Sequence, residues 1–122
     1  MSNDNQTDGI TIKIASPESP IAMKDLMVLA HSTFNTFVKF VADIQNDLIA
    51  FGGELHADAE AVLLEKGSEQ SQLWGGNFFF DSATIEYTSL INIRSSDHNP
   101  AMEVLDPDIR EKIGFLIKKV IR

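Results

Sequence analysis

The apolar positions change period several times along the chain, and each change marks an element. Ile10-Thr-Ile-Lys-Ile14 alternates apolar and polar residues, which predicts a short half-buried strand. Met23, Leu26, Met27, Ala30 and Phe34 then recur at helical spacing. Ser19 before Pro20 offers a hydroxyl cap with proline at the first helical position, so a helix is predicted from there. From Phe37 to Ile44 the period returns to two, with Val38, Phe40, Ala42 and Ile44 opposite Lys39 and Asp43. Gln45-Asn-Asp47 reads as a turn and Leu48 to Phe51 as a returning strand, giving a hairpin that ends at Gly52 and Gly53.

Beyond the glycines, Asp58 is placed to cap a short helix from Ala59 to Lys66 that Gly67 would stop. Leu73 to Phe80 reads as a buried strand. Thr84 to Arg94 predicts the longest strand, with Ile85, Tyr87, Ser89, Ile91 and Ile93 on one face and Glu86, Thr88, Asn92 and Arg94 on the other. A loop from Ser95 to Leu105 is long enough to be a candidate cover for an active site. Asp106 and Pro107 then start a helix with Ile109, Ile113, Leu116, Ile117 and Val120 as its stripe. The order predicts an α+β fold, a mostly antiparallel sheet of four to five strands with three helices packed mainly on one face. Residues 10–122 read as a single domain after a disordered tail over residues 1–9.

A chain of 122 residues with 43% hydrophobic side chains can bury a real core. No run of apolar residues reaches the length of a membrane span, and the polar, acidic start lacks the features of a secretory signal, so a cytoplasmic protein without membrane association is expected. The absence of cysteine excludes disulfides, thiolate catalysis and sulfur-held zinc. The net charge of −8 disfavours nonspecific nucleic-acid binding. One segment runs against this balance: from Ile109 onward Arg110, Lys112, Lys118, Lys119 and Arg122 face Glu111 alone, which suits the last turns of a helix. Neither a G-x-S-x-G elbow nor a G-x-x-x-x-G-K phosphate loop occurs.

Candidate chemistry concentrates in Phe51-Gly-Gly-Glu-Leu-His-Ala-Asp-Ala-Glu60. If the strand stays extended past the glycines, Glu54, His56 and Asp58 emerge on one face at intervals of about 6.6 Å. Leaning together, these three would admit a divalent metal such as zinc, manganese or iron, the one cofactor entertained. Without a metal, His56 becomes a general base or acid oriented by Glu54 or Asp58, with Arg94 and Asn92 holding an anionic substrate. The reading from another class is a binding module. There Gly52, Gly53, Trp74 and Gly75, with Asn77 and Asn92, line a groove for a small molecule, a peptide or a partner protein, a second copy of the chain included.

Gly52-Gly-Glu-Leu-His-Ala-Asp-Ala-Glu60, Leu73-Trp-Gly75 with Asn77, and Ile91-Asn-Ile-Arg94 resemble successive blocks of a small bacterial family classed as a domain of unknown function. The resemblance implies a self-contained domain and supplies no catalytic assignment. The function favoured from sequence is a ligand- or partner-binding module with its pocket around Gly52 to Asp58. The alternative is a small hydrolase of anionic or phosphate-containing substrates that uses His56 as general base or metal ligand.

Overall fold

The computed structural model describes residues 5–7, 10–94 and 98–122. Six strands form one sheet: β1 (Asn5–Thr7), β2 (Ile10–Ala15), β3 (Phe37–Asp43), β4 (Leu48–Gly52), β5 (Leu73–Phe79) and β6 (Thr84–Glu86). Their spatial order is β1-β2-β4-β3-β5-β6 and every pairing is antiparallel. Three helices complete the fold: α1 (Met23–His31), α2 (His56–Glu65) and α3 (Pro107–Val120). The predicted α+β architecture stands. Of the nine residues expected as a tail, Asn5–Thr7 pair with β2 and the others lie outside the described residues.

Helices cover both faces of the sheet, two on one side and one on the other. Val38, Phe40 and Ala42 of β3 pack with Ile49, Phe51, Trp74 and Phe78 under α1 and α3. Val41, Ala50, Ile12 and Leu73 pack on the opposite face under Ala59, Val62 and Leu63 of α2. The central strand β3 is therefore buried on both faces, which is why Val41 breaks its alternation with an apolar residue. Gly76 lies across from Phe40 in the β3–β5 ladder, and a Cβ there would stand 2.6 Å from the Phe40 ring. The bare glycine leaves the room that ring occupies.

Asp43 closes β3 with no exposed surface. Its carboxylate accepts from the backbone amides of Gln45 and Asn46 at 3.0 Å, from Asn46 Nδ2 at 2.9 Å, and from Ser68 Oγ at 2.6 Å. Burial alone would raise its pKa, but these four hydrogen bonds together hold it below the ordinary carboxylate value. One side chain thus turns the β3–β4 hairpin and ties it to the end of α2, where Gly67 stops the helix at φ 103° as expected.

The start of α1 and the long strand both differ from prediction. Ser19-Pro20 does not start a helix: Ser16 and Ser19 bond each other's backbone across a tight turn, and Ile21 then runs beside the end of the chain. The Ile21 amide donates to Val120 O at 2.7 Å and the Arg122 amide to Ile21 O at 2.9 Å, so α1 begins only at Met23. Its buried stripe is Leu26, Leu29 and Ala30, leaving Met27 exposed. The long strand Thr84 to Arg94 also stops early, at Glu86. Ser89 Oγ accepts from the Ile91 amide, and Leu90–Asn92 wind into a 3-10 turn.

Helix α3 follows its prediction closely, with Asp106 accepting from the Asp108 amide at 2.8 Å and Pro107 as its first residue. Asp106→Ala should cost about 1 kcal/mol, the usual worth of such a cap, read as a lower urea midpoint at unchanged slope. An unchanged midpoint would show the cap to be silent.

Candidate functional site

The segment that carries the candidate chemistry does not stay extended. Gly52, at φ 113°, still pairs with Ile12, and a Cβ on it would sit 2.5 Å from Thr11 O. Gly53, at φ 88°, turns the chain out of the sheet over Asp58. Both glycines are spent on scaffold geometry that L side chains rarely adopt, rather than on a bare binding surface. Helix α2 then begins at His56 instead of after Asp58. Asp58 sits in its first turn, where its Oδ2 accepts from the Leu55 amide at 3.1 Å while its own amide donates to Leu55 O at 3.0 Å.

That early start dismantles the alternating face predicted for Glu54, His56 and Asp58. Glu54 is exposed in the turn, Asp58 is engaged at the helix start, and His56 points inward at 8% exposure. Among the described residues no three His, Asp or Glu side chains gather as a metal-ligand group.

His56 is the first residue of α2 and lies against β5. Its Nε2–H donates to Gly76 O at 2.7 Å, and its ring passes so close to Gly75 that a Cβ there would meet His56 Cδ2 at 3.2 Å and Ser89 Oγ at 2.8 Å. Burial is the main cause that pushes its pKa down to about 4. The Gly76 carbonyl opposes this, Lys39 reinforces it through charge repulsion, and the Asn77 side chain opposes it weakly. The ring is neutral at pH 7, with the proton held on Nε2 by the Gly76 carbonyl.

Beside this ring lies a hollow of about 330 Å3. Its floor includes His56 and the cross-strand pair Lys39 and Asn77; Ser89 and Thr88 form one side. Asn77 Nδ2 donates to Glu86 Oε1 at 3.0 Å, which orients the amide and leaves Oδ1 buried without a partner. Lys39 extends over the Phe34 ring, 5.1 Å from its centroid. The rim is apolar. Leu55, Leu90 and Met102 line it and are 62%, 71% and 42% exposed.

Three elements supply that rim for reasons local to each. Leu55 precedes α2 and is turned outward by the Gly52-Gly53 corner. Leu90 opens the 3-10 turn. Met102 is held opposite Ser89, whose amide donates to Met102 O at 3.0 Å, and the bridge between Thr88 and Glu103 continues the pairing.

The other predicted site residues are elsewhere. Trp74 is 3% exposed and its side chain leaves β5 toward α1 and α3, the face opposite His56. Arg94 lies over that indole at 4.1 Å and donates from Nη1 to Ser71 O at 2.9 Å. Imidazole and guanidinium therefore do not meet, and Arg94 works as a cover for the tryptophan.

Asn92 does not share a strand face with Arg94. It is fully buried, and its side chain takes the place that β6 would have filled beside Gly75: Oδ1 accepts from the Gly75 amide at 2.8 Å and Nδ2 donates to Gly75 O at 3.0 Å. A second buried amide, Asn99, staples the following loop. Its Nδ2 faces the carbonyls of Asn92, Ala101 and Glu103 at 2.8 to 2.9 Å, and its Oδ1 accepts from the Leu105 amide at 2.9 Å. Ser95 to Asp97, the start of the predicted cover, lie outside the described residues. On either side of them Arg94 and Asn99 exchange both backbone hydrogen bonds, at 2.7 and 2.8 Å.

Fold and site together define a small α+β domain, helices on both faces of an antiparallel sheet, with one half-open hollow at the start of α2. A family model described as a protein of unknown function, DUF5674, matches residues 14–120, and the chain belongs to that family. No curated protein and no solved structure matches it. Among the described residues no helix is long and apolar enough to cross a membrane.

Proposed function

We propose that this protein is a small-molecule-binding module whose site is the hollow between the start of α2, the Lys39–Asn77 pair and Thr88 to Ile91. One observation carries the reading: large apolar side chains from three separate segments ring a polar floor that contains a buried, neutral histidine. Burying those rim side chains in a complex would contribute roughly 25 cal/mol for each Å2 removed from water. A hollow of about 330 Å3 stands at the lower end of the usual range for small-ligand sites, roughly 300–1,000 Å3. A few oriented polar groups inside an apolar mouth are what such sites use to select a guest.

The same geometry weighs against hydrolysis. A general base works best with a pKa near the operating pH, whereas His56 stays neutral down to about 4 and commits Nε2 to Gly76. Arg94, needed to hold an anion, covers Trp74 on the other face.

Ala57 lines the hollow and is exposed, so Ala57→Trp can fill it without disturbing the core. In a fragment titration followed by amide NMR, bound fragments should move the signals of Leu55 to Ala57 and Ser89 to Ile91 in the native chain. The variant, with an unchanged melting temperature, should lose that response. Shifts that scatter over the surface, or that persist unchanged in Ala57→Trp, would overturn the reading.

A further inference from the structure

Among the described residues the hollow is lined by one charged side chain, and that charge has no counter-charge. Lys39 stands half-buried on β3, across from Asn77. No carboxylate among the described residues pairs with it; its ammonium lies 5.1 Å from the centre of the Phe34 ring. That ring is itself held, stacked on Phe37 at 4.7 Å, and Phe37 meets its cross-strand partner Phe79 at 4.9 Å. An aromatic face steadies an ammonium without neutralising it. The charge is near enough to the floor for the His56 ring to feel it as a repulsion. Much of the remaining polar floor is withdrawn from the opening: His56 and Ser89 are 8% and 2% exposed, and Asn77 Oδ1 has essentially no surface. Lys39 therefore sets the polarity that the hollow presents.

We infer that the hollow selects a small apolar molecule carrying a single carboxylate, an inference that rests on the binding-module reading and names its ligand class. The carboxylate pairs with the Lys39 ammonium, and the apolar body contacts Leu55, Leu90 and Met102 at the rim. Desolvation is the reason for the charge. Any guest that closes the hollow strips water from the ammonium, and a neutral or cationic guest offers little in return. A carboxylate replaces that water with a charge-assisted hydrogen bond, in surroundings that screen it less than bulk water does. Arg94, expected from sequence to hold an anion, lies over Trp74 on the other face; Lys39 takes that part at the hollow. The acidic surface of the chain, net −8, repels polyanions at a distance, so the fitting guest is compact and singly charged.

Benzoate, benzamide and benzylamine share one ring and carry a negative, no and a positive charge at pH 7, so they separate the claims. Each is titrated into the full chain labelled with 15N, reading the backbone amides of Leu55 to Ala57 and Thr88 to Ile91. Benzoate is expected to bind at least about fivefold more tightly than benzamide, with benzylamine weakest. Lys39→Met keeps the apolar stem and removes the charge; it should erase the preference for benzoate and leave benzamide unchanged. In the native chain, added salt should weaken benzoate and spare benzamide. Benzamide equal to or ahead of benzoate at the hollow, a preference that survives Lys39→Met, or one indifferent to salt would overturn the carboxylate assignment while the binding-module reading stands. No response at the hollow to any of the three would overturn both.

Discussion

Asn99→Ala should lower the stability of the protein by about 3 kcal/mol, as a shift of the urea midpoint at unchanged slope. The side chain is 3% exposed and serves four backbone groups that approach from both sides of the Thr88 to Leu105 loop. Alanine leaves the buried Asn92 carbonyl without a partner, at about 1–3 kcal/mol, and gives up the part-buried hydrogen bond to the Leu105 amide, at about 1 kcal/mol. The carbonyls of Ala101 and Glu103 lie nearer solvent and are rehydrated more cheaply. Asn99→Asp sharpens the test because it keeps an acceptor for Leu105 but replaces the donors with a buried anion facing three carbonyls. It should be at least as damaging at pH 7. A loss below about 1 kcal/mol for the alanine variant would mean that the loop holds together without its staple.

Stability should also fall by about 3 kcal/mol between pH 7 and pH 4 because of His56 alone. Its folded pKa of about 4 lies below the ordinary 6.5. Between those values the unfolded chain binds a proton that the folded protein refuses, so stability rises with pH across the window and is complete above 6.5. Each pKa unit is worth about 1.4 kcal/mol, which sets the size of the loss. Asp43 acts in the next window down. Its folded pKa is depressed, so its contribution is present above the ordinary 3.8 and is lost as pH falls through the folded value. His56→Gln, uncharged at every pH, should start lower at pH 7 and lose the slope between 6.5 and 4 while keeping the acid limb. Parallel curves for the two proteins would assign the slope to other groups.

Much of the scaffold was legible because the local signals and the tertiary solution agree. The α3 stripe, the Asp106-Pro107 start and the β3–β4 hairpin needed only periodicity and turn residues. Ser19-Pro20 misled because its turn chemistry serves a different purpose, delivering Ile21 to the chain's end. The strand through Arg94 misled more deeply: Ile85, Tyr87, Ser89, Ile91 and Ile93 alternate faithfully, yet Ser89 and Asn92 bond into the backbone and redirect the chain after Glu86. Side-chain competition of this kind leaves no trace in an apolar count.

The candidate site divides along the same line. His56 stood out as a residue, but its setting depends on the two glycines turning the chain so that α2 starts beneath it. The rim could not be read locally, since Leu55, Leu90 and Met102 are far apart in sequence and each looks like an unremarkable loop leucine or methionine. Trp74 and Arg94 read from sequence as a groove residue and a holder of an anionic substrate. They are engaged with each other, and the composition of the segment carries no hint of that.

Where β6 falls short, the carboxamide of Asn92 occupies the outer edge of β5 in place of a neighbouring strand. An unguarded strand margin is a template on which a foreign chain can polymerise. The plug denies it that template with a single residue, so losing it would expose the protein to fibrillar assembly as well as to unfolding.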